Sequence, residues 1–162
     1  MIKEVLTTGN ELLGQVSEEV TLDELNTPQL KSLIEDMIDT MKFKNGVGIA
    51  AVQIGVPKRI AIIGYDSSNP RYKDIGSFPI TVIINPSFEA VGDEVFELNE
   101  GCLSVPGIRG DVIRAKKLRY KYQDMTGTII TGETDSFFAR VLQHEIDHMN
   151  GILFPMRIED IK

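Results

Sequence analysis

Both histidines of this 162-residue chain fall in one window, Gln143-His144-Glu145-Ile146-Asp147-His148. On a helix, an i, i+4 spacing stacks His144 and His148 a turn apart on the same face. Two imidazoles so placed can share one metal ion. Glu145 between them can take a proton from a water beside that ion. The plainer alternative is a pair of exposed histidines with a charged neighbour. Against it, the window uses every histidine that the chain has.

A catalytic ion needs a third protein ligand and an open position. In the extended endopeptidase pattern HExxHxxGxxH that ligand lies downstream. Gly151 stands at the pattern's glycine, but its last histidine is replaced by Phe154. The carboxylates further on, Glu159 and Asp160, sit at the chain end. The lone cysteine is the better candidate. Cysteine is usually a small buried hydrophobe, yet Cys102 lies in Asn99-Glu100-Gly101-Cys102-Leu103-Ser104-Val105-Pro106-Gly107, crowded by Glu, Gly, Ser and Pro. A thiolate here completes a Cys-His-His set with a free fourth position.

The elements that must position these residues are partly legible. Thr27 is a good helix cap and Pro28 suits the first helical position. Leu30, Leu33, Ile34, Met37, Ile38 and Met41 then recur at helical spacing up to a stop at Asn45-Gly46. Arg59 to Tyr65 and Ile80 to Asn85 read as strands, rich in β-branched residues. Leu118 to Asp124 alternates, turns at Met125-Thr126-Gly127, and predicts a hairpin partner over Thr128 to Thr131. Asp66 to Ser77 is polar, is expected to be a mobile loop and is assigned no chemistry. A last helix starts at the capping-rich Thr134-Asp135-Ser136, carries both histidines and stops at Gly151. The expected fold is α+β, with antiparallel strands around a central helix bearing the HExxH metal-binding motif. Length and the lack of a linker predict one domain over residues 1–162.

Composition removes several function classes. A single cysteine forbids an intrachain disulfide. A net charge of −7 argues against non-specific nucleic-acid binding. No run approaches the length of a membrane span, and MIKEVLTTGN offers no signal-peptide core. The expected location is cytoplasmic, where a lone thiol stays reduced.

Three stretches in order resemble the motifs of the peptide deformylase family. GVGIAAVQ (Gly46 to Gln53) is similar to the family's G-Φ-G-Φ-A-A-x-Q; EGCLS (Glu100 to Ser104) and QHEIDH (Gln143 to His148) match in full. Ile49 stands where the first motif often has Leu. Thr8-Gly9-Asn10 replaces a Pro-Asp type of turn, and Leu12-Leu13-Gly14 stands near a common Leu-Arg pair, which leaves the start of an N-terminal helix open. SVPGIRGDVIRAKK and the ending ILFPMRIEDIK resemble the subgroup with a short C-terminus, so docking to the ribosome through a C-terminal helix is not carried over.

The resemblance implies a metal-dependent hydrolase that removes the formyl group from N-formylmethionine of nascent peptides and releases formate. It implies Cys102, His144 and His148 as ligands, and Glu145 as the proton carrier. Gln53 and the backbone N–H of Leu103 would be donors to the oxyanion. Without it, Gln53 is merely a polar residue after an apolar strand. Gly46 and Gly48 are either turn glycines or places where an extended peptide approaches; the family favours the latter, with Gly48 bonding the substrate main chain. Val47 and Val141 match positions of the methionine pocket. Phe137, one turn before Val141, fits pocket and core equally. Glu100 and Arg109 are either a surface ion pair or, by resemblance, support for the Cys102 loop. The resemblance implies Fe(2+) as the native ion; the Cys-His-His set itself suits Zn(2+) and tolerates Ni(2+) or Co(2+) as replacements. Two other functions compete. A small zinc endopeptidase would use a downstream ligand and ignore Cys102. A non-catalytic peptide-binding module would have lost Glu145, Gln53 or a ligand.

Overall fold

An unbroken run of β-branched residues is buried on both faces when it forms a strand. The run after Arg59 does this at the centre of the fold. In the computed structural model, which describes residues 1–158, the strands are β1 (Gly48–Ala50), β2 (Ile60–Tyr65), β3 (Phe78–Ala90), β4 (Val95–Cys102), β5 (Val105–Ala115), β6 (Leu118–Gln123) and β7 (Ile129–Thr134). The helices are α1 (Pro28–Phe43) and α2 (Phe137–Met149). The main sheet has the order β1-β2-β3-β6-β7 and is antiparallel throughout. β4 and β5 form a separate antiparallel ribbon. The fold is α+β.

Alternate residues of β2 serve two cores. Ile60 and Ile62 join Leu30, Ile34, Met37 and Met41 of α1. Ala61 and Ile63 join Phe138, Leu142, Ile146 and Met149 of α2. The two helices therefore pack on opposite faces of the same strand. A third cluster joins Cys102, Val105 and Val112 of the ribbon to Leu153 and Phe154, just beyond α2.

The ends of α1 follow its residues. Thr27 Oγ1 accepts from the Leu30 N–H at 3.2 Å, and the chain leaves through Asn45 at a φ of 56°. Ser136 occupies the α2 cap position but makes no side-chain bond to the helix; its hydroxyl lies 2.8 Å from that of Thr134. No helix forms at the N-terminus. A single 3-10 turn, Glu11–Gly14, is capped by Asn10. Ahead of it, the Leu6 N–H donates to the Gln53 carbonyl at 2.7 Å and the Thr8 N–H to the Ser104 carbonyl at 2.9 Å. The first residues thus tie together the two loops that carry the first and second motifs. The ends of the last strand pair also shift: β7 runs to Thr134 rather than stopping at Thr131. β3 extends well past Asn85, to Ala90. The ribbon is an element the residue pattern did not predict, and the apolar strand expected before Gln53 is the short β1, followed by a 3-10 turn that carries Gln53 itself.

α2 stops at Gly151, which has a φ of 75°. A Cβ there would stand 2.5 Å from the Gly14 carbonyl oxygen, so backbone conformation and space both demand glycine. Gly92 has a φ of 76° but open space around it. Gly151→Ala should lower stability by more than ~1 kcal/mol, and by more than Gly92→Ala. Urea midpoints at unchanged slope measure both. Equal losses would show that the Gly14 turn simply moves aside.

Candidate active site

The Cys102 motif is the tip of the ribbon. Cys102 pairs with Val105, leaving Leu103-Ser104 as the turn. This places the thiol against α2, where Cys102 Sγ lies 3.3 Å from His148 Nε2. One donor atom from each of Cys102, His144 and His148 lies within 4.8 Å of the others. A sulfur and a nitrogen bound to one tetrahedral ion stand about 3.5 Å apart, so the donor set fits a metal. His144 turns its other nitrogen, Nδ1, to Glu100 Oε1 at 2.9 Å. Such a bond orients a ligating imidazole and fixes which nitrogen faces the ion.

Glu145 shares this cleft. It is 2% exposed, and its Oε1 has no hydrogen-bond partner among the described residues. Gln53, 1% exposed, faces the thiol from the other side. Its Oε1 accepts from the Ala50 N–H at 2.9 Å; its Nε2 donates to Ser104 Oγ at 3.0 Å and lies 3.7 Å from Cys102 Sγ. The amide orientation is therefore set by the backbone of its own loop.

Known proteins sharing this geometry settle the relationship. The sequence profile of polypeptide deformylase matches residues 2–162. Peptide deformylase 1 of Nitrosomonas europaea is 48% identical over 162 residues, spanning 100% of this chain and 90% of that protein. The chain belongs to the peptide deformylase family. Peptide deformylase 2 of Ralstonia nicotianae is 47% identical over 99% of this chain and 89% of its own length. Among solved structures, the Met-Ala-Ser-bound class I type b peptide deformylase of Acinetobacter baumannii superposes with a TM-score of 0.92 at 39% identity, covering 98% of this chain and 99% of that one. A Synechococcus elongatus peptide deformylase in complex with actinonin gives 0.84 at 32% identity, over 98% and 80%.

The cleft of this chain is lined by Val47, Gly48, Gln53, Glu100, Cys102, Leu103, Phe137, Val141, His144 and Glu145, all singled out from the sequence, and by Arg71, Tyr72, Gly101 and Arg140, which were not. Gly48 permits a close approach: a Cβ there would stand 2.7 Å from Glu145 Oε2 and 2.9 Å from Val141 Cγ1. Gly46 is not among the walls. It packs behind the turn, where a Cβ would meet Leu103 Cδ1 at 3.1 Å. Glu100 and Arg109 do not pair with each other. Arg109 Nε donates to Asn99 Oδ1 at 2.8 Å, and its guanidinium lies 4.9 Å from the centre of the Tyr72 ring. Among the described residues, Glu100 instead meets Arg114 at 2.7 Å, Arg140 at 2.9 Å and His144 at 2.9 Å. Arg114 continues to Asp147 Oδ2 at 2.9 Å, and Arg157 to Asp147 Oδ1 at 2.8 Å.

Arg114, Arg140 and Asp147 were not anticipated. Their only sequence signal is a charge inside an apolar stretch, as Arg140 is within Phe-Phe-Ala-Arg-Val-Leu. The Asp66–Ser77 loop is also more than a polar connection. Its Asn69 Nδ2 donates to the Asn45 carbonyl at 3.1 Å, and its Arg71 and Tyr72 help line the cleft. Glu159 and Asp160 lie outside the described residues. The downstream histidine position, Phe154, is buried in the ribbon cluster.

Electrostatics follow the contacts. Burial raises the Cys102 thiol, but His148 and His144 beside it outweigh that and bring it well below its usual range. Burial also disfavours charge on His144, but its bonds to Cys102 and Glu100 prevail and raise it. Burial lifts the Glu145 carboxyl, the two histidines only partly opposing it. For Glu100, burial is overcome by His144 and Arg114, and the carboxyl falls to about 2.

A depressed carboxyl stabilises the fold above its unfolded value of 4.5, and that stability is lost as pH falls towards about 2. The metal-free protein should therefore weaken steeply between about 4.5 and about 2. Glu100→Gln should be less stable at neutral pH and show a flatter loss in that window, measured by urea unfolding at each pH. Parallel curves for the two proteins would place the acid sensitivity elsewhere.

Proposed function

We propose that Cys102, His144 and His148 hold one catalytic divalent ion, and that Glu145 moves the proton as the formyl group is removed from N-formylmethionine of nascent peptides. The observation that carries this reading is the buried carboxylate of Glu145, whose Oε1 has no hydrogen-bond partner among the described residues, in the same cleft as the Cys102 and His144 donor atoms. Leaving such a group buried and unpaired is costly unless a reacting partner completes it. A bound divalent ion would activate a water and polarise the formyl carbonyl.

The remaining work falls to side chains and backbone. Glu145 accepts the proton released by the attacking water and returns it to the departing amine nitrogen. Its raised affinity for a proton suits both halves of that task. Gln53 Nε2 and the Leu103 N–H donate to the oxyanion that develops on the formyl oxygen. On productive binding the Gln53 amide exchanges Ser104 for that oxygen. Val47, Val141 and Phe137 house the methionine side chain, and Gly48 leaves room for the peptide backbone against Glu145. Gly46 and Glu100 act behind these groups, Gly46 by letting Leu103 seat and Glu100 by aiming His144. Arg109 helps hold the Cys102 loop through Asn99.

A thiolate with two imidazoles suits Zn(2+) and tolerates Fe(2+), Ni(2+) or Co(2+); membership of the family is what favours Fe(2+) as the native ion. We read residues 1–162 as one catalytic domain, with α2 as the central helix bearing the metal-binding motif. No helix among the described residues is long and apolar enough to cross a membrane. The reading places the protein in the cytoplasm, near ribosomes, acting on peptides rather than on specific nucleic acid. A downstream-ligand endopeptidase is disfavoured because, among the described residues, Cys102 and not a residue after His148 completes the donor set.

Formate release from formyl-Met-Ala-Ser by the iron-loaded protein under anaerobic conditions tests the function. Glu145→Gln should keep its metal content and its affinity for Met-Ala-Ser but lose ~10²–10⁴-fold in kcat. A loss under about tenfold with metal retained would assign the proton to another group. Acetyl-Met-Ala-Ser should be cleaved far more slowly than the formyl peptide. The extra methyl pushes the carbonyl off the Gln53 and Leu103 donors, and a shift of ~1 Å can cost ~10²-fold. Equal kcat/KM for the two acyl groups would remove formyl selection from this site.

A further inference from the structure

Two arginines converge on the mouth of the cleft. A Cβ built on Gly101 would stand 2.7 Å from Arg109 Nη1 and 3.0 Å from Arg71 Nη2. The guanidiniums therefore flank the same point above the backbone next to Cys102. Among the described residues, the arginine ion pairs belong to Arg114, Arg119, Arg140 and Arg157, not to these two. Arg109 is held by the neutral Asn99 side chain and carbonyl, and by the Tyr72 ring. Asn99 in turn donates to Asp111, so that carboxylate is met by an amide rather than by a guanidinium. Arg71, half-buried, bonds through its backbone N–H to Asn69. Two like charges held together are unfavourable unless an anion completes them.

The chain path through the cleft says where that anion would come from. The Tyr72 hydroxyl accepts from the Gly101 N–H at 3.2 Å and donates to its carbonyl at 3.3 Å. Both groups therefore face the cleft rather than β5. An extended peptide adds to such a free strand edge through this pair of groups, taking the hydroxyl's place. On the deformylase reading, which this inference rests on, the formyl group sits at Cys102 and the methionine side chain among Val47, Phe137 and Val141. The next residue then passes Gly101, between the two guanidiniums.

We infer that Arg71 and Arg109 select substrates carrying a carboxylate side chain on the first residue after the methionine. The guanidinium fork pairs well with a carboxylate, and a partly exposed pair of this kind is screened by salt. The test compares formyl-Met-Asp-Ser-amide, formyl-Met-Asn-Ser-amide and formyl-Met-Lys-Ser-amide. Aspartate should exceed asparagine in kcat/KM by roughly fivefold at low salt, lysine should fall below asparagine, and the spread should shrink as salt rises. In the double variant Arg71→Gln, Arg109→Gln the aspartate-to-asparagine ratio should approach one, whatever the variant does to the asparagine peptide. The wild-type salt series decides the matter if that variant does not fold. Calorimetric binding of the deformylated products Met-Asp-Ser-amide and Met-Asn-Ser-amide should show the same order. That readout still tests the pair if no formyl peptide is turned over, in which case the deformylase reading alone fails. Equal values for aspartate and asparagine at low salt, or a ratio untouched in a folded double variant, would overturn the inference. So would a preference for free-acid over amide peptides with no response to the side chain, since the arginines would then read only a terminal carboxylate.

Discussion

A single buried carboxylate organises this molecule. Glu100 is 2% exposed and is surrounded by Arg114, Arg140 and His144. Arg114 belongs to the same ribbon as Glu100, but Arg140 and His144 belong to α2. The charge therefore welds two elements that share little apolar surface. Arg140 extends the weld by donating to the carbonyls of Phe96, Leu98 and Val112. Without that anchorage the thiol at the ribbon tip would have no fixed place relative to the imidazoles. A buried ion pair is poor evidence of net stability, because desolvation offsets much of the attraction. Its value here is geometric, since it sets where the ribbon docks.

The main sheet supplies what the ribbon lacks. β2 is buried on both faces, with α1 on one and α2 on the other. It holds α2 by shape and apolar area, while polar contacts align the ribbon to it. The division suits a site that must combine a rigid floor with one open wall. α2 carries the histidines and Glu145 on a packed helix, and Gln53 and Leu103 reach the cleft from turns.

How much of this was legible depends on how local the signal is. α1, β2 and α2 announce themselves by caps and periodicity, because burial on one or two faces leaves a repeating pattern. Cys102 was found by elimination as much as by pattern, since few other groups were left to bind a metal. The ribbon was not legible. β4 reads Val-Phe-Glu-Leu-Asn-Glu-Gly-Cys and β5 contains Pro106, Gly107 and Gly110, so both resemble loops. Their pairing is specified by one another and by Arg140, which lies 28 residues from Val112 in sequence. The plainer alternative, an ion pair between Glu100 and Arg109, failed for the same reason. Nearness in sequence suggested it, whereas a guanidinium arriving from a distant helix leaves no local sign. The Asp66–Ser77 loop gains its role through Tyr72 and Gly101, a contact that no local rule anticipates.

The position of α2 in the chain has a consequence for the life of the protein. Both imidazoles lie after every strand of either sheet. During synthesis, the thiol and the Gln53 amide leave the ribosome first and wait for the helix that completes the donor set. Until α2 emerges and docks on β2, Cys102 has no histidine partner and Glu100 has neither Arg140 nor His144. On the Cys-His-His reading, metal capture therefore waits for α2. A polypeptide that still lacks this helix cannot process its neighbours, and each new copy is served by copies that folded earlier.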